Sequence, residues 1–287
     1  MTAPSGPVDV ERVQRGTAIL SGWGLTVRFG RHALDTHDQL RYLSATDHTR
    51  AEDFTRAWTD PDTSAVWAAR GGYGAQRMVD QIDFAALRAA GPKHFLGFSD
   101  ITALHARIGR EVGQVTIHGP VAGSLDQLSD PDTVGQLRKL MMEPPRPGHL
   151  LCRGTAAVDG RADGVLMGGN LSLMAADVGV ERPPTQPSIM VIEDIDERGY
   201  RVDRMLTQLQ RGDWFAAVVG FIIGSFSDPD DADLVDRVVL DRLTGLGIPM
   251  ITGVAVGHGG RNLPLPLGAV VRLESCAAAR SGTLTLV

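Results

Sequence analysis

The chain of 287 residues is long enough to bury the core of one large domain or of two modest ones. Its hydrophobic content of 43% and its charged content of 22% are ordinary for a globular protein. Nucleic acids and anionic membranes attract basic surfaces, so the net charge of −6 argues against both as partners. The aromatic content of 5% also argues against a surface that stacks on bases.

Cysteine usage and the N-terminal residues indicate the compartment. Cys152 and Cys276 form no CxxC motif, which predicts a reducing environment and no catalytic thiol. The first residues lack the basic and apolar regions of a signal peptide, and no run approaches about 18 apolar residues. We therefore expect a cytoplasmic protein.

Short apolar segments alternate with helical ones in the first half of the chain. Residues 65–69 and 94–98 predict buried strands, and a glycine-rich turn, Arg70-Gly-Gly-Tyr-Gly, follows the first of them. Apolar spacing predicts helices over 76–90 and from residue 101 onward. This alternation is typical of a largely parallel sheet with right-handed crossovers.

The pattern breaks at residues 143–148, which read Glu-Pro-Pro-Arg-Pro-Gly. We therefore predict an N-terminal α/β domain over 1–145, a linker over 146–163 and a C-terminal domain over 164–287. In the second half the patterns predict the following elements: strands over 189–192, 216–223, 250–256 and 283–287, and helices from residue 201 and over 232–246.

Ser99 is the candidate nucleophile. It stands in Leu96-Gly-Phe-Ser-Asp-Ile-Thr, where an apolar run ends and a helical segment begins at once. That order suits a serine on a tight strand-to-helix turn, exposed beside a helix N-terminus. The alternative is a plain turn with a capping serine, since Ile101 replaces the glycine that usually follows such a nucleophile.

A serine needs a base, which is usually a histidine oriented by a carboxylate. Glu193 and His258 each end a predicted strand, where ligands of open α/β sheets gather. Each has a structural alternative: Glu193 is one of several acidic residues in a possible solvated loop, with Asp194 as its rival, and His258 suits an ordinary turn. The histidines show no metal-ligand spacing, so no metal or other cofactor is predicted.

The Arg70–Gly74 turn matches no phosphate-loop spacing. Adjacent Gly71 and Gly72 instead let the backbone approach a ligand, so one of their N–H groups and that of Asp100 are candidate oxyanion donors. A tight connection that needs positive φ is the alternative. Separately, Asn170 after Gly168-Gly169 is predicted to cap a short helix over 171–176.

Read together, these segments resemble the LD-carboxypeptidase family of serine peptidases, which includes the microcin C immunity proteins. The likeness runs in order from near residue 5 to near residue 270. The matching blocks are Ala69-Arg-Gly-Gly-Tyr-Gly-Ala, Leu96-Gly-Phe-Ser-Asp-Ile-Thr, His118-Gly-Pro, Gly168-Gly-Asn-Leu, Ile192-Glu-Asp, Tyr200-Arg-Val-Asp-Arg-Met-Leu and Gly257-His-Gly.

The resemblance implies a hydrolase with a Ser99–His258–Glu193 triad and no metal. It implies hydrolysis of an L,D-amide, usually the terminal D-alanine linkage of murein tetrapeptide in cell-wall recycling. The oxyanion donors would be backbone N–H groups of Asp100 and of the Gly71–Gly72 turn.

The resemblance also implies an architecture. The first domain would be flavodoxin-like, similar to class I glutamine amidotransferases, and the second a smaller swivelling β/α domain, with the cleft between them. Family members are commonly homodimers.

The substrate stays open at this point. A microcin-type enzyme would cleave a peptidyl-nucleotide amide and would need an aromatic wall, whereas a murein peptide would need arginines for its carboxylates. The candidate arginines are Arg70, Arg201, Arg204 and Arg261. An inactive peptide-binding protein with the same fold is a further alternative.

Overall fold

The computed structural model describes residues 1–143 and 146–287. The chain divides into two compact units, Met1–Val134 and Gly135–Val287. The division therefore falls earlier than the predicted boundary after residue 145, and the second unit is the longer one rather than the smaller. Pro144 and Pro145 of the predicted proline-rich boundary lie outside the described residues.

The first unit contains short parallel strands and the helices around them. Its strands are β1 (Ala65–Trp67), β2 (His94–Gly97) and β3 (Thr116–His118). Its helices are α1 (Val10–Gly22), α2 (Asp47–Thr59), α3 (Ala75–Met78), α4 (Phe84–Ala90), α5 (Thr102–Val112), α6 (Leu125–Leu128) and the start of α7 (Pro131–Met142), within which the division falls.

The parallel pairing predicted for this half is confirmed. β2 pairs with β1 on one side and with β3 on the other, and Thr2 forms a parallel bridge to Ala68 just beyond β1. Aromatic side chains fill the core against this sheet, and Phe54 meets Phe95 edge to face at 5.4 Å between ring centroids. The sheet thereby presents the carboxyl ends of β1 and β2 side by side.

The helix predicted over 76–90 is two short helices, α3 and α4, separated by a 3₁₀ turn at Val79–Gln81. Ile82 is extended and buried, and the Asp83 side chain caps α4 by accepting from the Ala86 N–H at 2.9 Å. Apolar spacing alone missed this break, because the cap, not the periodicity, sets the start of α4.

The second unit contains a closed barrel flanked by helices. Its strands are β4 (Leu150–Val158), β5 (Gly160–Asn170), β6 (Ser188–Ile195), β7 (Val218–Ser227), β8 (Met250–Thr252), β9 (Leu265–Leu267), β10 (Val270–Cys276) and β11 (Ser281–Leu286). Its remaining helices are α8 (Leu171–Ala176), α9 (Gly199–Arg211) and α10 (Ala232–Thr244).

The barrel combines parallel and antiparallel pairs. β5, β6, β7 and β8 are parallel neighbours, whereas β4, β10 and β11 complete the closure through antiparallel pairs. The four strands predicted in this half are confirmed with shifted ends. Buried aliphatic side chains fill this unit, among them Ile189, Val191 and Ile222.

The predicted linker over 146–163 is wrong for most of its length, because β4 and the start of β5 occupy it. Gly154 in this stretch serves close packing between strands. A Cβ at Gly154 would stand 2.8 Å from the Thr252 carbonyl oxygen on the neighbouring strand. Such glycines weaken the sequence signal of a strand while allowing it to pack.

Among the residues that the structure describes, no helix combines the length and apolar character needed to cross a membrane.

Candidate active site

Ser99 lies two residues beyond the end of β2, at the start of a 3₁₀ turn that leads into α5. It is half-buried, and its φ of +64° is unusual for a residue with a side chain. The tight strand-to-helix turn predicted from the sequence is therefore present. Gly97 makes the turn possible, because a Cβ there would stand 2.7 Å from the Ile101 side chain. Backbone conformations of this kind cluster at functional sites.

The glycine-rich turn after β1 lies against this serine. A Cβ on Gly71 would stand 3.0 Å from Ser99 Cβ and 3.2 Å from Ser99 Oγ, so only glycine brings the backbone this close. Gly72 has a φ of +103°, as the turn alternative expects. Arg70 is exposed and donates from Nη1 to the Pro7 carbonyl at 2.7 Å.

The side chain of Asp100 turns inward beside the serine. Its buried Oδ2 accepts from Ser5 Oγ at 2.5 Å and from the Ala75 N–H at 2.7 Å. Burial raises the pKa of this carboxyl, although these two donors and the nearby Arg50 charge act the other way. The first unit thus brings Gly71, Ser99 and Asp100 together.

In the second unit the structure brings Glu193 and His258 together. His258 Nδ1 lies 2.6 Å from Glu193 Oε2, and the Glu193 side chain is fully buried while that of His258 is 12% exposed. Glu193 lies within β6 rather than at its end, and His258 lies in the loop after β8. The solvated-loop alternative for Glu193 is therefore wrong.

The electrostatics favour a histidine that holds a proton readily. Burial of the ring lowers the pKa of His258, but the Glu193 hydrogen bond and charge, with the charge of Asp194, outweigh it, and the pKa lies above its ordinary value. A carboxylate at Nδ1 selects the tautomer that carries its proton on that nitrogen. This leaves Nε2 as the nitrogen with base character.

Asp194, the rival for the orienting role, points to different partners. Its Oδ1 accepts from Asn170 Nδ2 and its Oδ2 from the Ser172 N–H, both at 2.9 Å, at the start of α8. Successive side chains of a strand leave on opposite faces, which explains why neighbours diverge. Burial and the Glu193 charge raise the pKa of Asp194 to about 7. Asn170 caps α8 as predicted, accepting from the Leu173 N–H.

Residues that sequence reasoning missed hold the histidine loop. Asn262 Oδ1, fully buried, accepts from the Gly257 N–H at 2.9 Å. Ser225 Oγ accepts from the Gly259 N–H at 3.1 Å. Gly257 itself has a φ of +109°, and a Cβ there would stand 2.5 Å from Glu193 Oε2. The Gly257-His-Gly motif was the only sequence signal for this loop.

Two candidate arginines lie on the exposed part of α9. Arg201 Nε lies 3.4 Å from Tyr200 Oη, and the Arg204 guanidinium stands 5.4 Å from the centre of the same ring. Arg201 also pairs with Glu197 at 3.7 Å, with about half of its side chain exposed. Arg261 is exposed as well.

A buried carboxylate on a histidine is typical of hydrolases, and so, separately, is a serine held at positive φ on a strand-to-helix turn. The comparisons give the family. Residues 1–119 match the model of the LD-carboxypeptidase N-terminal domain, and residues 163–273 match that of the C-terminal domain. The chain belongs to the LD-carboxypeptidase family.

Relatives and solved structures agree with this membership. A Streptomyces coelicolor protein, named as a carboxypeptidase, is 43% identical over all of this chain and 92% of its own length. The muramoyltetrapeptide carboxypeptidase from Oxalobacter formigenes is 29% identical, with a TM-score of 0.85 over 99% of this chain and 98% of that one.

The fold alone is shared with the microcin C7 self immunity protein MccF, solved in complex with aspartyl sulfamoyl adenosine. That structure is 22% identical, with a TM-score of 0.83 over 100% of this chain and 95% of that one.

Proposed function

We propose that this chain is a serine-type LD-carboxypeptidase that removes the terminal D-alanine of murein tetrapeptide. The observation that carries the proposal is the 2.6 Å contact between His258 Nδ1 and the buried Glu193 carboxylate. That pair has the tautomer and the charge that a general base for a serine requires.

In the proposed reaction, Ser99 Oγ attacks the carbonyl carbon of the L,D-amide while His258 Nε2 takes the hydroxyl proton. Collapse of the tetrahedral intermediate breaks the C–N bond, and His258 gives its proton to the departing amine of D-alanine. In the second half, His258 takes a proton from a water molecule as that water attacks the acyl-serine ester. The ester bond breaks, the peptide leaves as a carboxylate, and His258 returns the proton to Ser99 Oγ. Glu193 keeps the ring oriented and stabilises the imidazolium in both halves.

The developing oxyanion needs preorganised donors. We assign this role to the backbone N–H groups of Asp100 and of the Gly71–Gly72 turn. Support comes from the close approach of the Gly71 backbone to Ser99, which a larger residue would prevent. We assign Arg70, which precedes this turn, to substrate binding.

The test is hydrolysis of murein tetrapeptide by Ser99→Ala, with Ser129→Ala as the matched control. Ser129 is also in the first unit, but its hydroxyl only donates to the Asp126 carbonyl. We expect Ser99→Ala to lose at least about a thousandfold in kcat, since triad removal leaves little catalysis. Near-normal turnover by a folded Ser99→Ala protein refutes the proposal.

A second candidate substrate is a peptidyl-nucleotide amide, cleaved by the same residues. The observation that favours it is an exposed aromatic pair beside the glycine turn: Tyr42 and Tyr73 are 52% and 50% exposed, with ring centroids 6.0 Å apart. Such rings can stack on a nucleobase. Competition between murein tetrapeptide and aspartyl sulfamoyl adenosine, compared by kcat/KM, decides between the two.

An inactive peptide-binding homologue is excluded if a serine-reactive probe labels Ser99 rapidly, because only an activated hydroxyl reacts quickly. The homodimer, the flavodoxin-like first domain and the swivelling second domain stay predictions from the family resemblance. The cytoplasmic location stays a prediction from the cysteine usage and the N-terminal residues.

A further inference from the structure

A buried arginine on α2, far in sequence from every predicted motif, makes an unusual set of backbone contacts. Arg50 is 2% exposed. Its Nη1 donates to the carbonyl oxygens of Pro4 and, at 2.8 Å, of Gly74, and its Nε donates to the Ala45 carbonyl at 3.2 Å. Its Nη2 pairs with Asp47 on the same helix. A buried guanidinium is costly unless its donors are satisfied in this way.

The Asp100 carboxylate binds the same two segments that Arg50 binds, at Pro4–Ser5 and at Gly74–Ala75. Arg50 donates to the carbonyl of the Gly74–Ala75 peptide, and Asp100 Oδ2 accepts from the N–H of the same peptide at 2.7 Å. Likewise, Arg50 donates to the Pro4 carbonyl, and Asp100 accepts from the hydroxyl of the next residue, Ser5. The Arg50 guanidinium and the Asp100 carboxylate therefore hydrogen-bond to adjacent groups in each of these two segments.

These loops determine where the glycine turn lies. The Gly6 N–H donates to the Gly71 carbonyl at 3.1 Å, which links the residues just after Ser5 to the turn. At the other end of the turn, Gly74 has a φ of +130°, and a Cβ there would stand 2.8 Å from Arg50 Nη1. Both ends of the Gly71–Gly74 segment are thus anchored, and its first residue lies against Ser99.

We propose that Arg50 and Asp100 form a buried clamp, and that this clamp positions the Gly71–Gly72 backbone to stabilise the oxyanion formed at Ser99. The inference rests on the proposed function. The two residues are positioning residues: they act through the turn, and the donors themselves are backbone N–H groups. Such donors contribute to kcat rather than to ground-state binding, because the oxyanion exists only in the transition state.

The experiment measures kcat and KM on murein tetrapeptide for Arg50→Met, Asp100→Asn, Asp100→Ala and Ser5→Ala. The matched control is Arg56→Met, because Arg56 lies on the same helix but makes only an exposed pair with Glu52. We expect kcat to fall about tenfold or more in Asp100→Ala and Arg50→Met, with KM changed less than about threefold. Asp100→Asn should retain more kcat than Asp100→Ala, since its amide oxygen can still accept both bonds.

Folding is checked by circular dichroism and thermal unfolding. Ser5→Ala deletes one hydroxyl only, so it tests the clamp even where a change at a buried charge unfolds the protein; its kcat should fall about threefold or more. A folded Ser5→Ala or Asp100→Ala protein with wild-type kcat overturns the clamp. A Ser99→Ala protein assayed in parallel separates the two ideas: if it is active, the proposed function fails, whatever the clamp variants do.

Discussion

The Glu193 carboxylate lies 2.6 Å from Nδ1 of His258, although 65 positions separate the two residues along the chain. β6 carries the carboxylate, and the loop after β8 carries the ring. Close packing maintains the contact, since glycine at 257 is the only residue type that leaves room for the Glu193 oxygen. The ring is thus held by a buried anion, which is how a histidine becomes a stronger base than it is in water.

The raised pKa of His258 predicts the pH dependence of the reaction. A general base must be neutral, so kcat/KM should fall with decreasing pH through a limb centred above the ordinary histidine value of 6.5. In Glu193→Gln the effect of burial, which lowers the pKa, remains, while the largest opposing charge is removed and only the smaller effect of Asp194 is left. That limb should then move to lower pH, and kcat should fall by about a thousandfold or more.

The measurement is a profile of kcat/KM from about pH 5 to 9 for both proteins. Asp233→Asn, which changes an exposed carboxylate at the start of α10, serves as the control for net charge. An acidic limb at the same pH in Glu193→Gln and in the wild type contradicts the assigned role of Glu193.

Gly257→Ala should inactivate the protein. The new methyl group would stand 2.5 Å from Glu193 Oε2 and 2.8 Å from Ser225 Oγ, so the carboxylate or the histidine loop must move. Gly253→Ala is a matched control, because Gly253 also has positive φ (+66°) and lies in the same loop, but nothing stands within 4 Å of its Cβ position.

We expect Gly253→Ala to lose about 1 kcal/mol of stability from backbone strain and to keep its kcat. Gly257→Ala should lose about a hundredfold or more in kcat. Equal kcat values for the two variants would show that the contact with Glu193 is not needed.

Ser225→Ala tests whether the histidine loop needs its side-chain anchor. The variant loses the bond that the hydroxyl accepts from the Gly259 N–H at 3.1 Å and the one that it donates to the Val256 carbonyl at 3.2 Å. We expect kcat to fall about tenfold because the ring is held less rigidly. Ser281→Ala, at the exposed start of β11, is the control, and an unchanged kcat in Ser225→Ala argues against the anchor.

Asp194 predicts a pH dependence of stability. Its pKa is about 7 in the folded protein, against about 3.9 in an unfolded chain, so the folded state binds more protons between these values. Its contribution to stability is therefore present at low pH and lost as the pH rises through about 7. The free energy of unfolding in urea, measured for wild type and Asp194→Asn at about pH 5 and 8, tests this.

The advantage of the wild type over Asp194→Asn should be smaller at the higher pH, because asparagine does not titrate. The lost hydrogen bonds to Asn170 and Ser172 add the same penalty at both pH values. A difference between the two proteins that does not change with pH would mean that Asp194 titrates normally.

The sequence by itself determined the parallel strand that precedes Ser99 and the one that carries Glu193. Strands buried in the middle of a sheet read as continuous apolar runs, and the turns after them are marked by glycine and polar residues. The Asn170 cap was equally readable, because a cap is a local interaction between a side chain and a backbone N–H three residues later. The family resemblance then supplied the pairing of Glu193 with His258.

Only the tertiary structure decided the rest. The strands at 150–158 and 160–170 were missed because they contain glycines and their buried and exposed residues do not alternate regularly. Their residues are chosen for packing against neighbouring strands, which leaves no periodic pattern along the chain. The physical reason for Glu193 rather than Asp194 is visible only in the structure, where the two side chains leave opposite faces of β6 and meet different partners. The contacts of Arg50 with Pro4 and Gly74 join residues far apart in sequence. Hydrophobic periodicity indicates which residues of a helix or strand are buried. It does not indicate which hydrogen-bond partners in distant loops meet, because that depends on the path of the folded backbone.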